Sequence, residues 1–360
     1  MRILWLSHRD VEDPAAGGAE RTIREVGQRL TRRGHSVHLV ARGRAGSKFS
    51  NRMYGVRVTR LARYSLLHFE ALTRCSHSER PDIVVADLAH VVPWPEPVLA
   101  GLPCVAFFRH LHRRSLRGQV GPASAAVLGT LERLYPKIYS HRPFITESVS
   151  SALDLRRLGV PPADIHRVPP GVDTGCFTPG EKAAEPLVVY FGGFRRYKQP
   201  SHAVHAIAVL RTRGVNVKLV MMGNGPMFDS VVRLVRELEL QDRVTLLGRV
   251  SENRLVEVVQ SAHANLHCSE TEGWGYSIME AAACGVPTVA YKVPGVVESV
   301  HEGVTGDLVV GGPEALADGL ERVLGDSEGW ERRCRAFANQ HSWEECANSW
   351  EQHLTAIAGR

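Results

Sequence analysis

The 360-residue sequence lacks the features that would place a protein in a membrane or in an oxidising compartment. No apolar run approaches the roughly 18–20 residues that a membrane-spanning helix needs. Residues 1–6 predict a short strand and not a secretory signal peptide. The seven cysteines contain no C-x-x-C pair and no metal-ligand spacing, which argues against a disulfide framework and a zinc site. We therefore expect a cytoplasmic protein with reduced cysteines.

Lysine is also scarce, at six of the 44 cationic residues, and the positive charge is unevenly placed. Residues 1–180 hold 26 Lys and Arg against 15 Asp and Glu, a net of +11. Residues 181–360 hold 18 against 23, a net of −5. The excess on the first half predicts an anionic partner, either a ligand with phosphate or carboxylate groups or an anionic membrane surface. An arginine-rich face that reflects only codon bias is the alternative.

The length fits two domains of roughly 150–200 residues. Short β-rich runs alternate with helical stretches, and the alternation restarts in the second half, which predicts an α/β protein with parallel sheets covered on both faces. No Gly-x-Gly-x-x-Gly follows the first strand, which argues against a dinucleotide-dependent dehydrogenase. The predicted strands are 2–7, 36–41, 82–86, 104–108, 187–191, 218–222, 244–247, 264–267 and 288–291, and the predicted helices are 18–33, 201–213, 229–238 and 252–261.

The most informative segment is the glycine-broken stretch 272–285. Gly273 and Gly275 let the backbone approach a ligand closely, and the N–H groups at the start of the following helix attract phosphate. Glu280, about one turn into that helix, is placed to accept hydrogen bonds from a sugar diol. Glu272, before the phosphate site, would face the group that the phosphate carries. The segment therefore predicts a nucleotide-sugar site, against the simpler alternative in which both carboxylates only cap the helix.

This stretch resembles the E-x7-E signature of the retaining GT-B glycosyltransferases of family 4. The residues in register are Ser269, Glu272, Gly273, Gly275, Glu280, Ala281, Ala283, Gly285, Pro287, Val289 and Ala290. The resemblance implies a GT-B fold, with two Rossmann-like parallel-sheet domains that face a cleft. Residues 1–180 would bind the acceptor and residues 181–342 the nucleotide sugar. A C-terminal helix at about 343–360 would cross back to the first domain.

Transfer from a nucleotide sugar must neutralise charge on the departing diphosphate, through a metal ion or through fixed cations and backbone dipoles. No Asp-x-Asp occurs in the sequence, so we expect catalysis without a metal or other cofactor. The glycine turn Gly192-Gly193, followed by Arg195, Arg196 and Lys198, resembles the family's G-R-x-x-x-x-K phosphate clamp. Gly193 stands where the family has arginine, so Arg195 or Arg196 would have to take that role.

Further donor-binding residues follow from the resemblance. Gly223 and Gly225 match the family's G-x-G-P turn beside the nucleotide, and Arg249 and Val250 belong to its L-G-x-V segment, whose backbone contacts the base. The base stays open between uracil, guanine and adenine. At the start of the helix in the E-x7-E segment, the remaining donor-side residues are Tyr276 and Ser277.

In the first domain, the resemblance implies that Gly17 and Gly18 lie near the diphosphate or an acceptor hydroxyl. It also implies a histidine near the donor sugar, at the carboxyl end of the strand 104–108, where ligand sites of α/β proteins collect. We favour His110, with Arg109 and His112 as alternatives. The catalytic candidates are thus Glu272, Lys198, His110 and Arg195.

The resemblance implies a retaining transferase that moves a hexose-type sugar from a nucleotide-diphosphate sugar to an acceptor hydroxyl, in cell-envelope, polysaccharide or natural-product glycosylation. The alternatives are a GT-B nucleotide-sugar epimerase and a non-catalytic nucleotide-sugar-binding protein. We expect no nucleic-acid partner, and an acceptor that is anionic or is presented at the inner membrane face. The cations that would attract it are Arg60, Arg63, Arg109, Arg113, Arg114 and Arg117.

Overall fold

The computed structural model describes residues 1–13, 16–43, 49–76, 80–115, 121–326 and 329–359, so Arg117 lies outside the described residues. The chain divides into two compact units. The first comprises Met1–Gly171 together with Trp343–Arg360, and the second comprises Val172–Ser342. No helix within the described ranges is both long and apolar enough to span a bilayer.

The first unit is built on an eight-stranded sheet. Its elements up to the linker are β1 (Arg2–Leu6), α1 (Gly18–Arg32), β2 (Ser36–Arg42), β3 (Ser50–Met53), β4 (Val56–Leu61), α2 (Tyr64–Ser76), β5 (Ile83–Asp87), α3 (Glu96–Leu99), β6 (Cys104–Phe108), α4 (His112–Ser115), α5 (Pro122–Arg133), α6 (Tyr135–Ile138), β7 (Phe144–Thr146), α7 (Val149–Leu158) and β8 (Ile165–Arg167). The strand order is β3-β4-β2-β1-β5-β6-β7-β8, and only β3 is antiparallel to its neighbour. Strands β5 and β6 are buried along their whole length, as expected for a parallel sheet covered on both faces.

The second unit is built on a six-stranded parallel sheet. Its elements are β9 (Leu187–Phe191), α8 (Pro200–Thr212), β10 (Lys218–Met222), α9 (Phe228–Glu237), β11 (Val244–Gly248), α10 (Glu252–Ser261), β12 (Ala264–His267), α11 (Tyr276–Ala283), β13 (Thr288–Tyr291), β14 (Gly306–Val309), α12 (Pro313–Gly325) and α13 (Trp330–Asn339). The strand order is β11-β10-β9-β12-β13-β14. The chain builds outward from β9 to β11 and then returns to the other side of β9, so β9 and β12 flank the point where the order reverses. Ligand sites of open α/β sheets form at this point, beyond the carboxyl ends of the strands.

The last helix, α14 (Trp343–Ala358), packs on the first unit, as the family resemblance implied. Trp350 of this helix is fully buried. Its ring centroid lies 5.1 Å from that of Trp5 in β1 and 4.7 Å from that of Phe107 in β6. Buried aromatic contacts therefore anchor the end of the chain to the first sheet.

The division between the units differs from the expected boundary at 180/181, because the second unit begins at Val172. The Val172 N–H donates to the carbonyl oxygen of His341 at 2.8 Å. Phe177 is fully buried in the core of the second unit. The Arg335 guanidinium also donates to the Phe177 carbonyl at 2.6 Å. The segment 172–180 is thus packed into the second unit and is not a free linker.

Candidate functional site

An ion pair between Lys198 and Glu272 forms the centre of the candidate site. Lys198 ends the short 3₁₀ turn Arg196–Lys198 that follows β9, and Glu272 lies in the loop between β12 and α11. The Lys198 ammonium donates to Glu272 Oε1. Since β9 and β12 flank the reversal of strand order, the pair lies where this fold forms ligand sites. The two side chains are only 20% and 11% exposed.

Three donors hold one oxygen of the Glu272 carboxylate. Glu272 Oε1 lies 2.9 Å from His267 Nε2 and 2.8 Å from Ser269 Oγ, and it also accepts from Lys198. Burial alone would raise the pKa of Glu272, but Lys198 and the hydrogen bond from His267 more than offset it and hold the pKa well below the ordinary 4.5. Glu272 is therefore an anion at neutral pH.

Lys198 is held as a cation by the same contact. Burial alone would lower the pKa of Lys198, whereas the Glu272 carboxylate raises it above the ordinary 10.5. The Arg195 guanidinium is close enough to oppose that rise. Three of the four predicted catalytic residues, Glu272, Lys198 and Arg195, are thus brought together on the second unit.

Glycines at this edge let neighbouring loops stack backbone on backbone. Gly223 and Gly225 have φ values of +129° and +156°. A Cβ atom on Gly223 would lie 1.9 Å from the Gly192 carbonyl oxygen, and one on Gly225 would lie 2.6 Å from the Phe194 carbonyl oxygen. The Phe194 N–H donates to Asn224 O at 3.0 Å. Glycine at both positions is therefore explained by packing under the turn that carries Lys198.

The turn at Gly192 and Gly193 leaves space where other residues would carry a side chain. A Cβ atom on Gly192 would meet no atom within 4 Å. One on Gly193 would meet only Arg195, whose Cγ would lie 3.7 Å away. The half-buried Arg195 side chain therefore lies against the position where the family has its arginine, whereas Arg196 is exposed.

Helix α11 begins after Gly275, which has a left-handed φ of +97°. A Cβ atom there would lie 2.7 Å from Ile278 Cδ1, so the turn into the helix requires glycine. The half-buried Tyr276 and Ser277 are the first two helical residues, and Glu280, 6% exposed, lies about one turn further. The helix start and both carboxylates of the E-x7-E segment are thus on one loop–helix unit.

A second loop, after β13, braces the loop that carries Glu272. A Cβ atom on Gly295 would lie 2.3 Å from the Glu272 carbonyl oxygen, so the two backbones are in direct contact. The Ser299 hydroxyl donates to the Trp274 carbonyl at 2.9 Å. Gly273, between these contacts, is buried. The loop after β13 therefore holds the Glu272 loop at the residues on either side of Gly273.

The predicted base-side residues follow β11, at the edge of the same sheet. Arg249 is exposed and Val250 is half-buried. The Gly223 N–H donates to the Gly248 carbonyl at 2.7 Å, which joins this segment to the glycine turn after β10. Both segments lie at the carboxyl end of the sheet, and their contact with a base stays a prediction.

The sequence analysis missed His267, the last residue of β12. Its Nε2 atom lies 2.9 Å from Glu272 Oε1, and its Nδ1 atom lies 3.2 Å from Ser277 Oγ. The imidazole therefore bridges the predicted catalytic carboxylate and the start of α11. The signal available in the sequence was a histidine at the end of a strand, five residues before Glu272.

Two arginines of the first unit contradict their predicted role. Arg109 is 4% exposed, and its guanidinium lies 2.6 Å from Glu147 and 3.1 Å from Asp87. Arg60, also 4% exposed, pairs with Asp10. The expectation that Arg60 and Arg109 attract an anionic partner is wrong, because each is buried against carboxylates of its own unit.

The same burial removes Arg109 as an alternative for the sugar-facing histidine. His112 Nε2 lies 2.8 Å from the carbonyl oxygen of Ala89, which ties that ring to the neighbouring loop. His110 is half-buried, with its ring centroid 4.7 Å from that of His112. His110 remains the candidate at the end of β6, and its role stays a prediction.

The backbone of Gly17 has a hydrogen-bond partner within the chain. Gly17 precedes α1, and its N–H donates to Glu20 Oε2 at 2.7 Å. This contact belongs to a capping box, which satisfies an N–H at the helix start from within the chain. The Gly17 N–H is therefore satisfied within the chain, and the position of Gly17 and Gly18 near a ligand stays a prediction.

Comparison with known families and structures agrees with this geometry. The family described as "Glycosyl transferases group 1" matches residues 177–341, and "Glycosyltransferase Family 4" matches residues 16–175. The chain belongs to the family 4 glycosyltransferases. The two matches together leave only residues 1–15, 176 and 342–360 outside the family models.

Relatives of this glycosyltransferase act on different acceptors. N-acetyl-alpha-D-glucosaminyl L-malate synthase of Bacillus anthracis is 26% identical over 338 residues, which cover 88% of this chain and 86% of that protein. D-inositol 3-phosphate glycosyltransferase of Nocardia farcinica is 34% identical over 202 residues, 50% of this chain. That second match spans only 45% of the relative's own length.

Solved structures confirm the GT-B fold. Sucrose-phosphate synthase from Thermosynechococcus elongatus superimposes with a TM-score of 0.81 at 22% identity, covering 99% of this chain and 98% of that chain. HepE from Anabaena in complex with UDP-glucose gives a TM-score of 0.78 at 18% identity, covering 99% and 100%. At these identities the likeness establishes the fold.

The Lys198–Glu272 pair predicts a measurable coupling. Lys198→Met should lower the unfolding free energy of the second unit by about 2 kcal/mol at pH 7, because it leaves a largely desolvated anion without its cation. The loss should be smaller than for a fully buried pair, since both side chains keep some exposure to solvent. Adding Glu272→Gln should recover part of the loss. The loss should shrink as the pH falls below the ordinary 4.5 of a glutamate, because the wild type then loses the stabilisation that the lowered pKa of Glu272 provides. Urea denaturation of the double-mutant cycle checks this.

The control for this cycle is Lys218→Met, which removes an exposed pair with Glu185 in the same unit. Exposed pairs contribute at most about 1 kcal/mol. Equal losses for Lys198→Met and Lys218→Met, or additive effects of the Lys198 and Glu272 substitutions, would contradict a desolvated, coupled pair.

Proposed function

We propose that this glycosyltransferase moves a hexose from a nucleotide-diphosphate sugar to an acceptor hydroxyl with retention of anomeric configuration. The observation that carries the proposal is the Lys198–Glu272 ion pair at the reversal of strand order, beside Gly192, whose side-chain direction is open, and the start of α11. The UDP-glucose in the HepE structure supports a nucleotide sugar as donor. Retention is supported by the family signature alone.

In the proposed reaction, the bond between the anomeric carbon and the β-phosphate oxygen breaks, and its electron pair stays on the diphosphate. Positive charge develops on the sugar in an oxocarbenium-like transition state. Lys198, Arg195 and the N-terminal dipole of α11 stabilise the leaving diphosphate. The acceptor oxygen forms the new glycosidic bond, and its proton passes to the oxygen of the leaving diphosphate, which holds the electron pair of the broken bond.

The charges of the free site suggest how the donor is accommodated. Lys198 and Glu272 neutralise each other before the donor arrives. A diphosphate competes with Glu272 for the Lys198 ammonium, because both are anions near one cation. Glu272 then accepts hydrogen bonds from hydroxyl groups of the hexose, held in place by His267 and Ser269. In this proposal Lys198 serves the leaving group and Glu272 the sugar.

We also propose that catalysis needs no divalent metal, since fixed cations and a helix start are available to the diphosphate. Among the described residues, no group of three or more His, Cys, Asp and Glu side chains is arranged to hold a metal ion. The reason to expect metal independence is the pair of cations at the site, Lys198 and Arg195.

The test is a panel of UDP-, GDP- and ADP-sugars, assayed in excess EDTA for release of nucleoside diphosphate. One donor class should be turned over, and Lys198→Ala should reduce turnover on the order of 100-fold. Proton NMR should show that the new glycosidic bond of the product has the same anomeric configuration as the donor sugar. Activity that is lost in EDTA and restored by Mg²⁺ or Mn²⁺ would contradict metal independence.

Other outcomes of the panel identify the alternatives. An isomerised nucleotide sugar without transfer would indicate an epimerase. Binding without release of nucleoside diphosphate, across plausible acceptors, would indicate a non-catalytic binding protein. Either result would contradict the proposed function.

As its partner on the acceptor side, we propose an anionic membrane surface. Helix α2 buries Leu67 on one face, yet Leu66, Phe69 and Leu72 on its outer face are exposed by 44%, 67% and 45%. Arg63, just before the helix, is exposed as well. An exposed apolar face beside cations, on the half of the chain with a net charge of +11, suits the boundary of an anionic bilayer.

Liposome sedimentation tests this partner with and without anionic lipid, at two salt concentrations. Binding should require anionic lipid and weaken with salt, because the Debye length of about 10 Å at 0.1 M shortens. Phe69→Gln should weaken it, whereas Val310→Gln, at an 80% exposed valine of the second unit, should not. Negligible binding in all four conditions, or equal effects of the two substitutions, would contradict the proposal.

A further inference from the structure

His267 links two parts of the site that a donor would contact separately. Its Nε2 atom lies 2.9 Å from Glu272 Oε1, and its Nδ1 atom lies 3.2 Å from the hydroxyl oxygen of Ser277, the second residue of α11. The imidazole is 6% exposed. Bulk water therefore has little access to exchange these hydrogen bonds.

The protonation of the Glu272 carboxylate fixes the hydrogen-bond roles of the ring. Glu272 is ionised and only accepts, so His267 Nε2 must carry a proton and donate. In the neutral imidazole, Nδ1 is then bare and accepts the hydroxyl proton of Ser277. Ser277 has one hydroxyl proton, so in this state its oxygen turns only lone pairs toward a ligand.

A diphosphate at the start of α11 would need Ser277 to donate its hydroxyl proton to the phosphate and not to His267. Phosphate oxygens only accept hydrogen bonds at neutral pH, so a hydroxyl whose proton is already donated to His267 repels them. When Nδ1 takes up a proton, it donates to Ser277 Oγ, and the hydroxyl proton of Ser277 turns to the phosphate. The same proton adds a positive charge one hydrogen bond away from the diphosphate.

We propose that His267 is a positioning residue that takes up a proton when the donor diphosphate binds, and so switches Ser277 from donating to the ring to donating to the phosphate. The inference rests on the proposed function, because it needs a diphosphate at the start of α11. His267 itself acts through Ser277 and Glu272.

The charged groups around His267 favour this uptake once the diphosphate is present. The Glu272 carboxylate contacts Nε2 directly and favours the imidazolium. Lys198, on the same carboxylate oxygen, opposes the imidazolium in the free site, and a diphosphate would neutralise part of the Lys198 charge. Tyr190 and Cys268, whose pKa values are raised by burial, stay neutral.

Isothermal titration calorimetry of the whole protein with UDP, GDP and ADP tests the proposal without any substitution. Titrations in buffers of different ionisation enthalpy, between about pH 7.5 and 9, count protons while the terminal phosphate of the probe, with a pKa of about 6, is fully deprotonated. Binding should take up a substantial fraction of one proton near pH 7.5 and progressively less toward pH 9, and Kd should rise with pH by up to about tenfold per unit. The absence of proton uptake by a protein that binds its nucleotide would overturn the proposal.

Two substitutions assign the proton. His267→Gln keeps an N–H donor for Glu272 and an acceptor for Ser277 but cannot be protonated, so proton uptake and the pH dependence of Kd should disappear. Its Kd should approach that of the wild type at about pH 9. His205→Gln, at a histidine of α8 in the same unit, is the matched control and should leave the uptake unchanged. Unchanged uptake in His267→Gln would overturn the assignment.

Failure of this inference is distinguishable from failure of the proposed function. A nucleotide that binds without proton uptake contradicts the role of His267 alone. If none of the three nucleotides binds at any pH, the donor site itself is contradicted, and the inference falls with it. Ser277→Ala separates the hydroxyl from the ring, and it should weaken binding most at the lower pH, where the hydroxyl donates to the phosphate.

Discussion

An ion pair between Lys198 and Glu272 joins the two loops that flank the reversal of strand order in the second sheet. A pair at 20% and 11% exposure loses much of its hydration, and well-packed apolar side chains would stabilise the fold at least as well. Its position at the ligand edge of the sheet is what we expect of a pair with a functional role. Held in this pair, Lys198 is cationic and Glu272 anionic, which are the charge states that a leaving diphosphate and a sugar hydroxyl require.

The geometry around this pair is set mainly by backbone packing. Gly223 lies against the Gly192 carbonyl, and Gly295 lies against the Glu272 carbonyl, at distances that leave no space for a Cβ atom. The turn that carries Lys198 and the loop that carries Glu272 are each fixed by a neighbouring loop of the same unit. A substitution at either glycine would displace a backbone, so the effect would reach both charged groups.

Sequence reasoning succeeds where the physics is local. The strands 187–191, 218–222 and 264–267 were predicted to the residue, because a short β-rich run between helical stretches is a local signal. The contact between Lys198 and Glu272 was not predicted, since the residues are 74 positions apart and the contact depends on which strands are neighbours. The burial of Arg60 and Arg109 was missed for the same reason, because their carboxylate partners come from other loops. His267 was missed because a single histidine at a strand end carries no signal of what its ring contacts.

The division of roles between Glu272 and Glu280 is the most direct test of the site. It is measured as the affinity for nucleoside diphosphate and the turnover of matched variants. Glu280→Gln should weaken nucleoside diphosphate binding by roughly tenfold to 100-fold, about 1.5–3 kcal/mol for hydrogen bonds to a charged group, through lost contacts with the ribose. Glu272→Gln should reduce turnover far more than it weakens the same binding, because we propose that its carboxylate serves the sugar. If Glu272→Gln lost nucleoside diphosphate affinity as severely as Glu280→Gln and kept its turnover, the assignment of Glu272 to the transferred sugar would be contradicted.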